Sequence, residues 1–241
     1  MDCWICGAEG TTGEHLVKAS DLRSFFGKFS QKSPLYFHTK GKRNIPVGSP
    51  RSDRFKSKAK ICKTCNSATT QPYDEAWERL SAYLRENISQ LRRNDRIDLS
   101  RVFPGATRKS LLHVHLYFVK LFGCLIVEHC IPIDISPFAI ALRTGIPHKN
   151  IYLAFGPQLE HPKRKFAGLT PVDAVDRDGV SVFATWCYIL GDIVVDVIYS
   201  AEKQYMQVVS VVIGPMPQIA PKKHAALRMW QSGMRCYGRP E

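Results

Sequence analysis

Cys3, Cys6, Cys62 and Cys65 form two Cys-x-x-Cys knuckles, a Glu14-His15 pair lies between them, and Asn66 follows the last cysteine. Four thiolates in two knuckles close a tetrahedral zinc site, and closing it fixes the backbone on either side. Glu14, His15 and Asn66 would then stand at fixed positions beside a structural metal. Metal-dependent phosphodiester hydrolysis needs that set: a hard oxygen ligand for a divalent cation, and an imidazole that takes a proton from water near neutral pH. The 55 residues between Cys6 and Cys62 exceed zinc-ribbon spacing and require an insertion between the knuckles. A bare Glu-His dipeptide carries little information alone, and a second one, Glu128-His129, reads as a helix terminus.

The run Cys-x-x-Cys, Glu-His, Cys-x-x-Cys-Asn resembles the HNH endonucleases of ββα-metal type, in the branch whose hairpin and helix are stapled by four cysteines in a treble clef. The segment Thr70-Gln71-Pro72-Tyr73-Asp74-Glu75-Ala76-Trp77-Glu78 resembles the helix opening of phage and bacterial members, some of them tied to defence. The resemblance covers roughly residues 1 to 90. It implies a structural Zn²⁺ on the four cysteines, a catalytic Mg²⁺ or Mn²⁺ on Glu14 and Asn66, and His15 as the base that activates water. Many members carry a final helix histidine, which here falls at Tyr73; Asp74 beside it is the expected replacement ligand, and the Tyr73 hydroxyl is a candidate phosphate contact. The resemblance therefore implies a divalent-metal-dependent endonuclease acting on nucleic acid, with DNA as the expected substrate. The alternative is a protein that keeps the fold for zinc-dependent nucleic-acid binding or assembly and has lost the chemistry.

Charge supports a polyanionic partner. The chain carries a formal +13, and residues 18 to 63 hold 13 Lys or Arg against Asp21 and Asp53. Lys40, Lys42, Arg43, Arg51, Arg54, Lys56, Lys58 and Lys60 are the candidate phosphate-backbone contacts. They lie on no obvious amphipathic helix, which argues against a membrane surface.

The elements that must position these groups can be read from pattern. Ser20 is a candidate N-cap for a short helix over 20–29, with Leu22, Phe25, Phe26 and Phe29 on its apolar side. Residues 33–50, rich in Pro and Gly, read as irregular. Pro72 suits the first turn of a helix, where Asp74, Glu75 and Glu78 complement the dipole, and Trp77, Leu80, Leu84, Ile88 and Leu91 form one stripe. Residues 92–105 read as a polar link. The apolar run Leu111–Ile131 contains His113, His115, Lys120, Glu128 and His129, too many ionisable groups for an unassisted membrane span, so a buried helix over 107–129 is expected. Asn150–Phe155, Val180–Leu190, Ile193–Tyr199 and Gln207–Ile213 read as strands, separated in part by turns at Asp178-Gly179 and Gly191-Asp192. A basic tail follows over Lys222–Arg239.

The expected fold class is α+β: a zinc-stapled ββα nuclease unit with a basic insertion over 1–100, and an α+β unit with a central buried helix and antiparallel strands over 101–241. The second unit is expected to serve target choice, dimerisation or docking of a partner protein. The chain enters its first knuckle with no apolar leader, so a reducing cytoplasm, with metal thiolates rather than disulfides, is the expected setting. Cys124, Cys130, Cys187 and Cys236 read as small buried hydrophobes, and His113 and His115 as core or capping residues.

Overall fold

The computed structural model describes residues 1–39, 41–89, 98–157 and 165–202. The expected strand at Gln207–Ile213, the basic tail, Lys40, Leu91 and Cys236 lie outside them. The fold is α+β.

Strands β1 (Thr12–His15) and β4 (Lys56–Ile61) pair antiparallel, with Gly13 opposite Lys60, His15 opposite Lys56, and a bulge between Gly13 and His15. Gly13 is required there: a Cβ would stand 2.5 Å from the Ser57 carbonyl oxygen. The insertion between the strands holds α1 (Ala19–Phe26), a hairpin of β2 (Leu35–Phe37) and β3 (Ile45–Val47), and a 3₁₀ turn at Asp53–Phe55. The hairpin replaces the irregular segment expected there. Its strands are three residues each and Pro46 sits in one of them, so neither alternation nor β-propensity marks it. The helix begins at Ala19, and the Ser20 hydroxyl, instead of capping it, donates to Glu78 at 2.8 Å.

Beyond Cys65 a π-turn, Cys65–Thr69, leads into α2 (Gln71–Glu86), with Pro72 in its first turn as its fixed φ favours. Tyr73, Ala76, Trp77, Leu80 and Leu84 are buried along it. After the short α3 (Leu99–Val102), α4 (Thr107–His129) is the central helix, with every residue from Val114 to Ile126 buried. Among the described residues it is the one helix long and apolar enough to cross a membrane, and it is packed inside the protein. α5 (Ser136–Thr144) follows, an element the sequence pattern did not suggest.

A five-stranded antiparallel sheet closes the other side. β5 (Ile151–Pro157), β9 (Ile193–Ser200) and β8 (Val180–Leu190) lie in that order, and β6 (Ala167–Leu169) and β7 (Asp173–Arg177) share the outer edge of β8. The turns expected at Asp178-Gly179 and Gly191-Asp192 are present, and Asp178, Gly179 and Gly191 take positive φ.

Most of the buried apolar residues form one cluster from Cys3 to Tyr199, on both sides of residue 100. Trp77 stacks on Tyr117 (ring centroids 5.6 Å apart) and meets Phe118 and Tyr188 edge-on, joining α2 to α4 and β8. Buried Asp21 accepts from Trp77 Nε1 (2.9 Å), Ser81 Oγ (2.8 Å), Arg85 Nη1 (2.8 Å) and Tyr188 Oη (3.1 Å), tying α1 to α2 and the sheet. The first knuckle docks on α4 at Gly123, where a Cβ would stand 2.3 Å from the Trp4 ring. Cys124 is buried as expected, whereas Cys130 is exposed at the left-handed end of α4 and the half-buried Cys187 thiol donates to Asp196 at 2.9 Å.

Candidate metal centre and active site

The four knuckle sulfurs lie within 4.8 Å of one another, with Cys6 and Cys62 at 3.7 Å. A zinc–sulfur bond of about 2.3 Å gives tetrahedral edges of roughly 3.8 Å, so this quartet fits Zn²⁺. Backbone N–H groups shape both turns: Cys65 N donates to Cys62 Sγ at 3.3 Å, and Gly7 N to the Cys3 carbonyl at 2.8 Å. The Cys65 N–H, the largest influence, helps to pull the Cys62 thiol down to about 7, favouring the thiolate a metal needs.

The hairpin held by this quartet has two chemically different faces, because side chains alternate along a strand. In β4, Ser57, Ala59 and Ile61 are buried, while Lys56, Lys58 and Lys60 are half-buried or exposed. In β1, Glu14 is buried and His15 is half-buried opposite Lys56. His15 therefore shares the outer side with the lysine row, and Glu14 turns toward α4. Burial lowers the His15 pKa, Lys56 and Lys18 lower it further, and the Pro50 carbonyl and Asp53 oppose them. The ring is neutral at pH 7, and its buried Nε2 has no hydrogen-bond partner. That is the protonation state of a general base.

Asn66 donates from Nδ2 to Thr12 Oγ1 at 3.0 Å, and Thr12 Oγ1 donates to the Ile61 carbonyl at 2.9 Å. The residue after the last cysteine thus locks β1 to the end of β4, two positions before Glu14. Tyr73 donates its hydroxyl to the Leu142 carbonyl at 3.0 Å from a buried position, so it is committed to α5 and does not face a phosphate.

Glu14 and Asp74 do come together, but on the ammonium of Lys120. Lys120 Nζ lies 2.9 Å from Glu14 Oε2, 2.7 Å from Asp74 Oδ1 and 3.2 Å from Thr70 Oγ1. The second Asp74 oxygen is held by Lys18 at 3.2 Å, which also reaches Glu78 at 3.5 Å. Burial pulls the Lys120 pKa down, yet the two carboxylates outweigh it and the net shift is upward, so the group is an ammonium. Burial pushes the Glu14 carboxyl up, Lys120 draws it back, and Asp74, sharing the same cation, adds to the rise.

Lys120, Lys18 and Thr70 were not expected at this site. The available signal was a lysine in mid-helix among apolar residues, which must find a carboxylate because a buried unpaired charge is not tolerated. Glu128, at the end of α4 as expected, is also more than a terminus: it accepts from Ser57 Oγ at 2.7 Å and Lys58 N at 3.1 Å, clamping α4 onto β4. Of the basic segment, Lys42, Arg43, Arg51, Arg54 and Lys58 are exposed, and Lys56 pairs with Asp53 at 2.7 Å. No protein-family model matches the chain, and neither does any curated protein or solved structure.

Proposed function

We propose that this chain acts on nucleic acid as a phosphodiester hydrolase of the HNH, ββα-metal type, with DNA as its substrate and His15 as its general base. The observation that carries the reading is the shared side of β1 and β4, where a half-buried imidazole with a lowered pKa, its Nε2 buried and unpartnered, lies opposite Lys56 in the Lys56, Lys58 and Lys60 row. The chain order of knuckle, strand, strand, knuckle and helix supports a treble clef, with the insertion carrying further cations. Phosphates would lie along the lysine row and the exposed Arg51 and Arg54, bringing one phosphodiester within reach of a water held by His15. Asn66 would keep β1, and so His15, in place through Thr12.

In this family a divalent ion supplies the electrophile that steadies charge on the phosphate. Glu14 and Asp74, with Asn66 assigned to that ion, do not fit it here: both carboxylates already hold an ammonium, and Glu14 is on the inner side of the hairpin. This favours a second reading, a zinc-dependent nucleic-acid-binding or assembly protein without hydrolysis.

One assay separates them: cleavage of duplex, branched and single-stranded DNA and of RNA, with Mg²⁺ or Mn²⁺ against chelator, beside His15→Ala. The first reading expects cleavage that falls about 10² to 10⁴-fold in the variant while binding and zinc content persist. Tight binding with no cleavage of any substrate selects the second. Under either, affinity should fall with salt at a log–log slope of roughly −0.9 per neutralised duplex phosphate, and Arg54, Lys56 and Lys58 neutralised together should flatten it.

A further inference from the structure

We propose that Lys120 is the resident cation of the Glu14–Asp74 pair, so that this chain holds no divalent ion between those two carboxylates. The inference takes from the HNH reading only the expectation that an ion belongs there. The geometry itself is independent of that reading.

An ammonium has three N–H donors, and here each has an acceptor: Glu14 Oε2 at 2.9 Å, Asp74 Oδ1 at 2.7 Å and Thr70 Oγ1 at 3.2 Å. These are the lengths of charge-assisted hydrogen bonds and close ion pairs. The Lys120 side chain is fully buried, and Glu14 and Asp74 expose 4% and 15% of theirs. Lys18 takes the other Asp74 oxygen and also reaches Glu78, so a second ammonium lies on the outer side of the pair. A divalent ion could enter only by expelling the ammonium, and Lys120 has nowhere to go: it sits in the middle of α4, in an unbroken run of buried residues from Val114 to Ile126. Expelled, it would have to give up its proton or stand as a charge without a partner in the core, and either costs free energy. Phe118 and Tyr117 on one side and Leu121 and Phe122 on the other are all fully buried, so no route to solvent runs along the helix.

The internal cation also has a positional consequence. One ammonium joins β1 through Glu14, the turn before α2 through Thr70, and α2 through Asp74, all from α4. It therefore holds the strand that carries His15 against the helix that follows the second knuckle.

The test is Mn²⁺ binding to the full-length, zinc-loaded protein, followed by the loss of the free Mn²⁺ electron paramagnetic resonance signal. Wild type, Glu14→Gln and Lys120→Met are compared. Wild type should bind no Mn²⁺ that depends on Glu14: either none is bound, or what is bound survives Glu14→Gln unchanged. Lys120→Met, if folded, should gain one Mn²⁺ per chain, and adding Glu14→Gln should remove it. The proposal is overturned if wild type binds one Mn²⁺ that Glu14→Gln abolishes, and that comparison does not require the lysine variant to fold. Failure of the nuclease reading is distinguishable, because it appears as absent cleavage with any Mn²⁺ result. Chelator-sensitive cleavage with Mn²⁺ binding indifferent to Glu14 would keep both, with the ion elsewhere.

Discussion

The sulfur quartet and the Glu14–Lys120–Asp74 cluster solve one problem in opposite ways. Each gathers groups that can pair with a cation from distant parts of the chain. The quartet draws all its ligands from the two knuckles, within 4.8 Å, and leaves the cation to be supplied from solution. The carboxylate cluster receives its cation from the chain itself, from a helix that begins more than 30 residues after Asp74. The first arrangement would couple folding of the knuckles to metal binding when an ion is bound there, since thiolates gain most of their binding energy only when the ion arrives. The second is complete once α4 docks, and it makes the position of β1 conditional on packing of the core helix. Neighbouring charged sites can therefore differ in kind, and residue type alone does not say which one takes a free ion.

Removing zinc is the largest perturbation expected of this pair. Chelation, or Cys62→Ser, should cost on the order of 10 kcal/mol of apparent stability in the knuckle region and release one zinc per chain, as read by elemental analysis and hydrogen exchange. If Cys62→Ser keeps full protection in β1 and β4, the quartet does not hold the hairpin.

The ammonium should matter less but still heavily. Lys120→Met leaves two carboxylates facing each other in the core and should cost about 3–5 kcal/mol in denaturant unfolding. Combining it with Glu14→Gln and Asp74→Asn should recover much of that loss, because the uncompensated charge goes too. Equal stability of Lys120→Met and wild type would show that the lysine does not neutralise the pair.

Acid probes a third region that has no added cation at all. His115 Nε2 accepts from His148 N at 3.1 Å, both rings are buried, and burial lowers both pKa values to about 4. A group whose folded pKa is depressed binds more protons when unfolded, so this pair favours folding above the unfolded value near 6.5. The contribution is lost as pH falls from there to about 4, at roughly 3 kcal/mol for each histidine. Urea midpoints of wild type and His115→Gln/His148→Gln should converge toward pH 4 if this holds; parallel curves would remove the pair from the acid response.

The smallest effect concerns His15 itself. Because Lys56 depresses its pKa and Asp53 opposes this, Lys56→Met should move the His15 titration upward, by Coulomb relief and by freeing the Asp53 carboxylate from its partner. Imidazole resonances followed by NMR would report it, along with the acid limb of any cleavage activity. An unchanged titration would mean that His15 and the β4 lysines do not share a face.

Much of this architecture was written in local pattern. The buried helix Thr107–His129 has the expected limits, the Trp77, Leu80 and Leu84 stripe is buried, and the Asp178-Gly179 and Gly191 turns connect strands near the expected bounds. These features depend on side-chain period and on φ preferences, which neighbouring residues fix among themselves. The four cysteines were legible for a related reason: paired spacing already places two sulfurs in each turn. The β2–β3 hairpin was not, because three-residue strands bury too little to leave a periodic trace.

What only the tertiary structure decided is which way each charged group faces and what meets it there. Glu14 and His15 are adjacent in sequence, yet the pleat at the β1 bulge sends one to the core and the other toward the lysine row. Lys120, seen in sequence as an obstacle to a membrane span, becomes the partner of Glu14 and Asp74 only when α4 packs across β1 and α2. The sequence determines that a buried lysine needs carboxylates and that paired cysteines can offer a metal four sulfurs. Which carboxylates, and therefore which site is left to take an ion from solution, depends on long-range packing, because electrostatic partners are chosen by distance in space and a local pattern carries no such distance.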